Sequence, residues 1–442
     1  MKKIQTAGAL LCVLVLCACS AGLAENQETM AFYDFVTGYS GSGFLTAQDG
    51  LLCYYDCSSG LALPMCTHPE CQHLRAGYSI DEYASTLELL NDADCCFAVK
   101  TGKGSDMGMM FLQWDEKINC LDCWMDPFNE TSEVCVYESE VDGGTKLLAS
   151  PGELFSKGQE VSCNECVIHD GYMYFPAKAV PFSVNDGEET ARSPATETVH
   201  LFRISLATGE AAILKTYTAQ SCNVTLLGEY NGILYYVLDI ADGFTPLEQC
   251  ESVKEWHREY QDRMRSSVLG ISINDGKGMI PDPRLCDRVR ALSFTFDTVR
   301  DGILYSIFGD GENPPLVLEY DFRQQKLVRE YPLRYDSRKD LYPYRMLTDE
   351  ITLAFDYETG TFALRNLKTG EIKELSIPGI CINGNRDQTD WYDINSMDIQ
   401  TDPIILDHVY ADGRTVKAYI TAAELLQDNP QVHDFTGGCL YE

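Results

Sequence analysis

The chain has 442 residues, 45% of them apolar and 11% aromatic, and a formal charge of −33. This is ample core material, which excludes wholesale disorder, and the strong acidity makes phosphate backbones and anionic headgroups poor partners, so nucleic acid is not expected. Nineteen cysteines, sixteen of them beyond the leader and Cys19, fit an extracytoplasmic protein in which disulfides persist.

Met1-Lys2-Lys3 is a short positive start, and Ala7 to Leu16 is an apolar run too short to span a bilayer. It ends in Leu16-Cys17-Ala18-Cys19, a tetrad that resembles the bacterial lipobox. The resemblance implies a signal peptide over 1–18, cleavage before Cys19, and a lipid on Cys19 that tethers the chain to the membrane at the extracytoplasmic face. The competing reading is ordinary secretory cleavage after Ala24. Residues 19–29 are small and polar and read as a flexible tether, which leaves 30–442 as one domain.

That domain is built on a repeated stretch. Asp49-Gly50, Asp170-Gly171, Asn231-Gly232 and Asp301-Gly302 are each followed by an apolar, tyrosine-rich run such as Ile233-Leu234-Tyr235-Tyr236-Val237. Asn-Gly and Asp-Gly tolerate the positive φ angles of a two-residue hairpin turn, and the runs suit buried strands. The first unit spans about Gly43 to Cys66, with Leu51 to Tyr55 as its inner strand. The second starts near Asp94 and continues through Met109 to Leu112, with a further hairpin from Val134 to Leu148. The third starts at Cys166 and closes at the Ala207-Thr208-Gly209-Glu210 turn. The fourth starts at Leu226, the fifth near Phe294, the sixth near Asp349 with a Lys368-Thr369-Gly370-Glu371 turn, and the seventh near Trp391.

Two hairpins per unit make a four-stranded blade, and about 40–50 residues per blade is the usual repeat of a β-propeller. The expected fold is therefore an all-β propeller of about seven four-stranded blades, with six or eight as alternatives. The early strand Met30 to Val36 is expected to pair with the last blade and close the ring.

One helix interrupts the repeats. Thr245-Pro246-Leu247-Glu248 reads as a capping box with proline at the first helical position, opening an amphipathic helix to about Arg265. Its apolar stripe is Leu247, Cys250, Val253, His257, Tyr260 and Met264. A shorter helix, Ala422 to Gln427, carries a capping box in Thr421 and Glu424.

Together, the turn-plus-aromatic repeats, the Thr-Gly-Glu turns and the lipobox resemble TolB-like or WD-like β-propeller lipoproteins. The segment Leu63-Pro64-Met65-Cys66-Thr67-His68-Pro69-Glu70-Cys71-Gln72-His73 is similar to one that follows the first hairpin in a group of propeller lipoproteins of Gram-positive bacteria. The resemblance implies a surface-anchored propeller and brings no catalytic residues with it.

Cys66, His68, Cys71 and His73 place four soft donors in eight residues. Three readings stand: a structural disulfide, a zinc clip with Cys66, Cys71 and His73 among its ligands, and packed free thiols. Cys120-x-x-Cys123 and Cys163-x-x-Cys166 have redox-like spacing but lie near strands, which favours pairing or packing over catalysis. Asp390, Trp391, Tyr392 and Asp393 form an aromatic-acidic stretch suited to sugar stacking, against the alternative of a packed blade edge. No nucleophile elbow, Walker loop or metalloprotease signature occurs. The expected function is a non-catalytic binding or scaffold module for a glycan, peptide or protein. The alternative is a propeller glycoside hydrolase or lyase with carboxylates in the central funnel.

Overall fold

The computed structural model describes residues 29–32, 37–40, 43–48, 51–64, 106–114, 117–126, 131–140, 145–151, 155, 158–181, 196–246, 249–289, 296–309, 315–333, 341–356, 361–375, 377, 380–382, 391–394, 403–412 and 414–436. Their strands form seven blades, each an antiparallel run of four. Blade 1 uses Thr37–Ser40, Gly43–Gln48, Leu51–Asp56 and Leu61–Pro64. Blade 2 uses Asp106–Trp114, Lys117–Asp126, Thr131–Glu140 and Thr145–Ala149. The expected hairpin around Val134 thus completes blade 2 and starts no extra blade.

Blade 3 uses Glu165–His169, Tyr172–Pro181, Glu197–Ser205 and Ala211–Ala219, with Gln159–Cys163 added along its second strand. Blade 4 uses Ser221–Tyr230, Ile233–Ala241, Arg265–Ser272 and Gly278–Met279. Blade 5 spans Phe296–Arg300 to Lys326–Pro332 and blade 6 Leu341–Met346 to Ile372–Glu374. Blade 7 runs from Trp391–Ile394 to His433–Asp434, with Ile380–Ile382 parallel on the free edge of its first strand.

The repeated dipeptides form the turns that the sequence predicts. Asp170, Asn231 and Asp301 have φ of 47°, 55° and 53°, and the following Gly171, Gly232 and Gly302 have 74°, 78° and 75°. Two successive positive φ angles make the hairpin turn whose twist matches the flanking strands. These turns join the first and second strands of blades 3, 4 and 5. Asp49-Gly50 lies outside the described residues. It connects Gly43–Gln48 to Leu51–Asp56, the second and third strands of blade 1, so Leu51 to Tyr55 is not the inner strand that the repeat suggested.

Apolar side chains fill every described seam. Cys123, Val136 and Phe202 lie between blades 2 and 3, and Tyr174, Val224 and Tyr236 between blades 3 and 4. Tyr235 and Phe322 stack at 3.9 Å between blades 4 and 5. Ile307 and Met346 join blades 5 and 6, and Leu353 and Ile404 join blades 6 and 7.

The ring closes by a different route from the one expected. Phe435 packs edge-on against the stacked Phe44 and Tyr55 of blade 1, at 5.7 and 5.1 Å. Thr436 then exchanges backbone bonds with Gly60 and Ala62, each at 2.9 Å. The early strand, Thr29–Phe32, instead pairs with Glu165–Ile168 of blade 3 and with the first strand of blade 1. The last blade satisfies its edge with its own C-terminal residues. The N-terminal strand bonds to the open edges of two inner strands.

The inserted helix α1 is shorter than its sequence pattern implied, covering Val253–Arg263. Ser252, not Thr245, caps it by accepting from Glu255 N; Leu247 and Glu248 lie outside the described residues. Helix α2, Ala422–Leu425, has both bonds of the expected Thr421/Glu424 capping box. No helix among the described residues is long and apolar enough to cross a membrane.

Candidate binding faces

The disc has two unlike faces. The turn face carries the Asp170, Asn231 and Asp301 hairpins, tied blade to blade. His169 Nε2 and Glu229 Oε2 lie 2.7 Å apart across blades 3 and 4. Asn231 Nδ2 donates to the Arg323 carbonyl at 2.7 Å, and Arg300 Nη1 reaches Asp349 at 3.1 Å. A cleft of 440 Å³ opens here between blades 5 and 6, lined by Arg300, Thr348, Asp349, Glu350, Ile351 and Asn366. Its lining carboxylates are engaged: Glu350 pairs with Lys368, and Asp349 with Arg300.

The opposite, loop face carries the largest described insertion, 242–264, between the second and third strands of blade 4. Ser221 pairs with Ala241 and Ile240 with Arg265, so the insertion leaves the strands at the end far from Asn231-Gly232. Phe244, Trp256 and Tyr260 form a half-buried aromatic group on it. Trp256 stacks on Tyr260 at 5.3 Å, and Phe244 meets Tyr260 edge-on at 5.4 Å. Tyr260 Oη lies 3.3 Å from Ser221 Oγ, and Gln220 holds the loop through the backbone of Phe244. Aromatic rings with polar handles suit sites that are apolar on one side and wet on the other.

The stripe that sequence periodicity chose on α1 holds at Tyr260 and Met264 and fails at Val253 and His257. Val253 is 67% exposed and His257 is also exposed, while Met264 is buried, Tyr260 reaches Ser221 of the blade, and Trp256, which the stripe omitted, is half-buried on Tyr260. The signal for this register was Trp256 at four residues before Tyr260, the spacing of helix neighbours.

Buried ionisable groups act as cross-braces. Arg288, whose short strand pairs with blade 4, grips Asp297 of blade 5 with two bonds of 2.9 and 2.8 Å. Both side chains are 5% exposed or less, and Ser306 Oγ donates to Asp297 at 2.6 Å. Arg329 holds the buried Glu319 at 2.6 Å. Glu165, on the inner strand of blade 3, accepts from Leu226 N of blade 4. Burial pushes its carboxyl up to about 8, against the lowering pull of that one bond.

Of the expected ligand stretch, Trp391 and Tyr392 are half-buried on the first strand of blade 7; Asp393 shares that strand, and Asp390 lies outside the described residues. Tyr392 lies tilted against His408 at 4.3 Å, and His408 stacks on Tyr410 at 4.0 Å. His408 and Tyr410 both bond Asp434. Tyr392 is thereby part of a ladder across blade 7. Cys66, His68, Cys71 and His73 lie outside the described residues. Cys120 and Cys123 sit three apart on one strand, so they face opposite sides of blade 2, and Cys123 joins Cys163 and Cys166 in the core shared with blade 3.

The class defined by this fold is a seven-bladed β-propeller with a braced turn face and an aromatic insertion on its loop face. No family model matches the sequence, and comparison with curated proteins finds no match. Among solved structures, the chain is similar to a puromycin-hydrolysing peptidase of Mycobacterium tuberculosis at 10% identity and TM-score 0.37, covering 73% of this chain and 46% of the peptidase. The chain thus spans less than half the length of that peptidase. It is similar to Synechocystis apocarotenoid oxygenase at 10% identity and TM-score 0.40, covering 78% of this chain and 71% of the other. It is also similar to an oligogalacturonate lyase of Vibrio parahaemolyticus at 7% identity and TM-score 0.35, covering 92% and 97%.

Proposed function

We propose that the protein is a lipid-anchored, extracytoplasmic propeller that binds a glycan at its loop face without transforming it. The observation that carries this reading is the Phe244–Trp256–Tyr260 group on the 242–264 insertion, a stacking platform held by Gln220 and Ser221. The buried carboxylates support it too, since Asp297, Glu319, Glu229 and Glu165 serve as braces. The entry point of the chain is consistent with an anchor at Cys19. Thr29 pairs with Ile168, two residues before the Asp170-Gly171 turn. The ten chain steps from Cys19 to Thr29 reach about 35 Å at most, and entry near the turn face would leave the loop face on the side away from the anchor.

Titration of the full chain with a panel of neutral and aminosugar oligosaccharides, followed by tryptophan fluorescence, tests the binding reading. Saturable quenching is expected, weakened at least tenfold in W256A with an unchanged melting temperature. Binding unaffected by W256A would remove the platform. The rival reading, a glycoside hydrolase or lyase, draws on Glu165 as a carboxyl held protonated near neutrality. Cleaved oligosaccharide that disappears in E165Q would replace the binding reading with that one. For the anchor, incorporation of a fatty-acid analogue lost in C19A, with release into the medium, is the expected result. The segment from Cys66 to His73 stays proposed as a staple, by disulfide or by zinc.

A further inference from the structure

We infer that Cys123 and Cys163 form a disulfide that ties blade 2 to blade 3 when the chain folds against an oxidant. The inference rests on the extracytoplasmic reading for where that oxidant is met.

Cys123 lies on the second strand of blade 2, opposite Val134, and Cys163 ends the strand Gln159–Cys163, opposite Ala177 of blade 3. Leu121, Cys123, Val134, Cys163 and Cys166 belong to one apolar core, and the strand of Cys163 packs against the strands of Cys123 and Val134. Cys123 and Cys163 are both free thiols, buried in that shared core. Neither sequence-adjacent pair offers the same closure. Cys120 faces away from Cys123 across the pleat, and Cys163 and Cys166 sit on two different strands with exposed Asn164 between them. Cys166 belongs to the same core and is the rival partner.

The chemistry is thiol–disulfide exchange with a low-molecular-weight disulfide. The Cys123 thiolate attacks one sulfur of that disulfide, forming a mixed disulfide and releasing one thiol. The Cys163 thiolate then attacks the Cys123 sulfur and expels the second thiol. Two protein thiols become one S–S bond, the external disulfide becomes two thiols, and the two protons lost by the cysteines appear on them. In the finished fold both cysteines are 2% exposed or less, and burial holds the Cys163 and Cys166 thiols well above the ordinary range. Exchange therefore belongs to the stage before blade 2 docks, and a chain that docks reduced stays reduced.

The test refolds the full-length chain from reducing denaturant with and without glutathione disulfide, alkylates it, digests it and maps the peptides. The oxidised sample is expected to show the Cys123 and Cys163 peptides joined. Its melting temperature should exceed that of the reduced sample by about 5 °C, a gap that vanishes in C123A. Refolding in vitro does not depend on any anchor, so failure here is distinct from failure of the localisation. Alkylated Cys123 in the oxidised, folded protein, or its linkage to Cys166 or any other cysteine, overturns the inference.

Discussion

Gly209 sits so close to Leu148 that a Cβ on it would lie 2.1 Å from the Leu148 carbonyl oxygen. The outer turn of blade 3 thus sits directly on the backbone of the last strand of blade 2. Gly171 has the same φ of +74° but nothing within 4 Å of its would-be Cβ. G171A should cost about 1 kcal/mol, the strain of a left-handed residue, and G209A at least ~2–3 kcal/mol because contact is added to strain. Paired denaturant melts would measure both. Equal losses would mean that the blade 2–3 seam relaxes freely.

The Arg288–Asp297 brace predicts an asymmetric response. D297N leaves a buried guanidinium without its counter-charge and should destabilise by roughly 3–5 kcal/mol. Replacing both partners and Ser306 with apolar residues of similar volume should recover most of that loss. Urea unfolding of the two variants decides it, and a single variant as costly as the combination would refute the brace.

Glu165 predicts a pH slope. Its folded carboxyl titrates near 8 and its ordinary value is 4.5, so between these pH values the folded chain holds a proton that the unfolded chain has released. Stability should therefore be greatest below about pH 4.5 as far as this group is concerned. It should fall as pH rises, and level off above about pH 8, by an amount on the order of 5 kcal/mol in total. E165Q should flatten this slope between pH 5 and 8, as measured by melting temperature against pH. An unchanged slope would mean that the carboxyl is ionised in the fold.

Phe435 is 3% exposed and closes blade 7 on blade 1. F435A should cost about 3–5 kcal/mol and raise amide exchange first in Gly43–Asp56 and Thr415–Ile420, the strands beside that seam. Uniform exchange across the ring would show that the seam is no weaker than the rest.

What could be read in advance was local. Asp170-Gly171, Asn231-Gly232 and Asp301-Gly302 announce positive φ angles, and the alternating apolar runs after them announce strands, because both depend on a few neighbouring residues. The Thr421/Glu424 box was legible for the same reason. The α1 stripe was read correctly at Tyr260 and Met264 but misread at Val253 and His257, because Val253, Trp256 and His257 all fit some helical face. Only the folded insertion decides that Trp256, and not Val253 or His257, packs beside Tyr260.

By itself, then, the sequence determined the repeat, its turns and the propeller class, since these follow from backbone preferences and period-two patterning. Tertiary structure alone decided which blade Thr29–Phe32 joins, how Phe435 and Thr436 shut the ring, and which of four spaced cysteines meet. Those outcomes depend on which side of each strand faces the next blade, and on contacts between residues up to 376 positions apart, such as Thr436 and Gly60. No short-range preference encodes them.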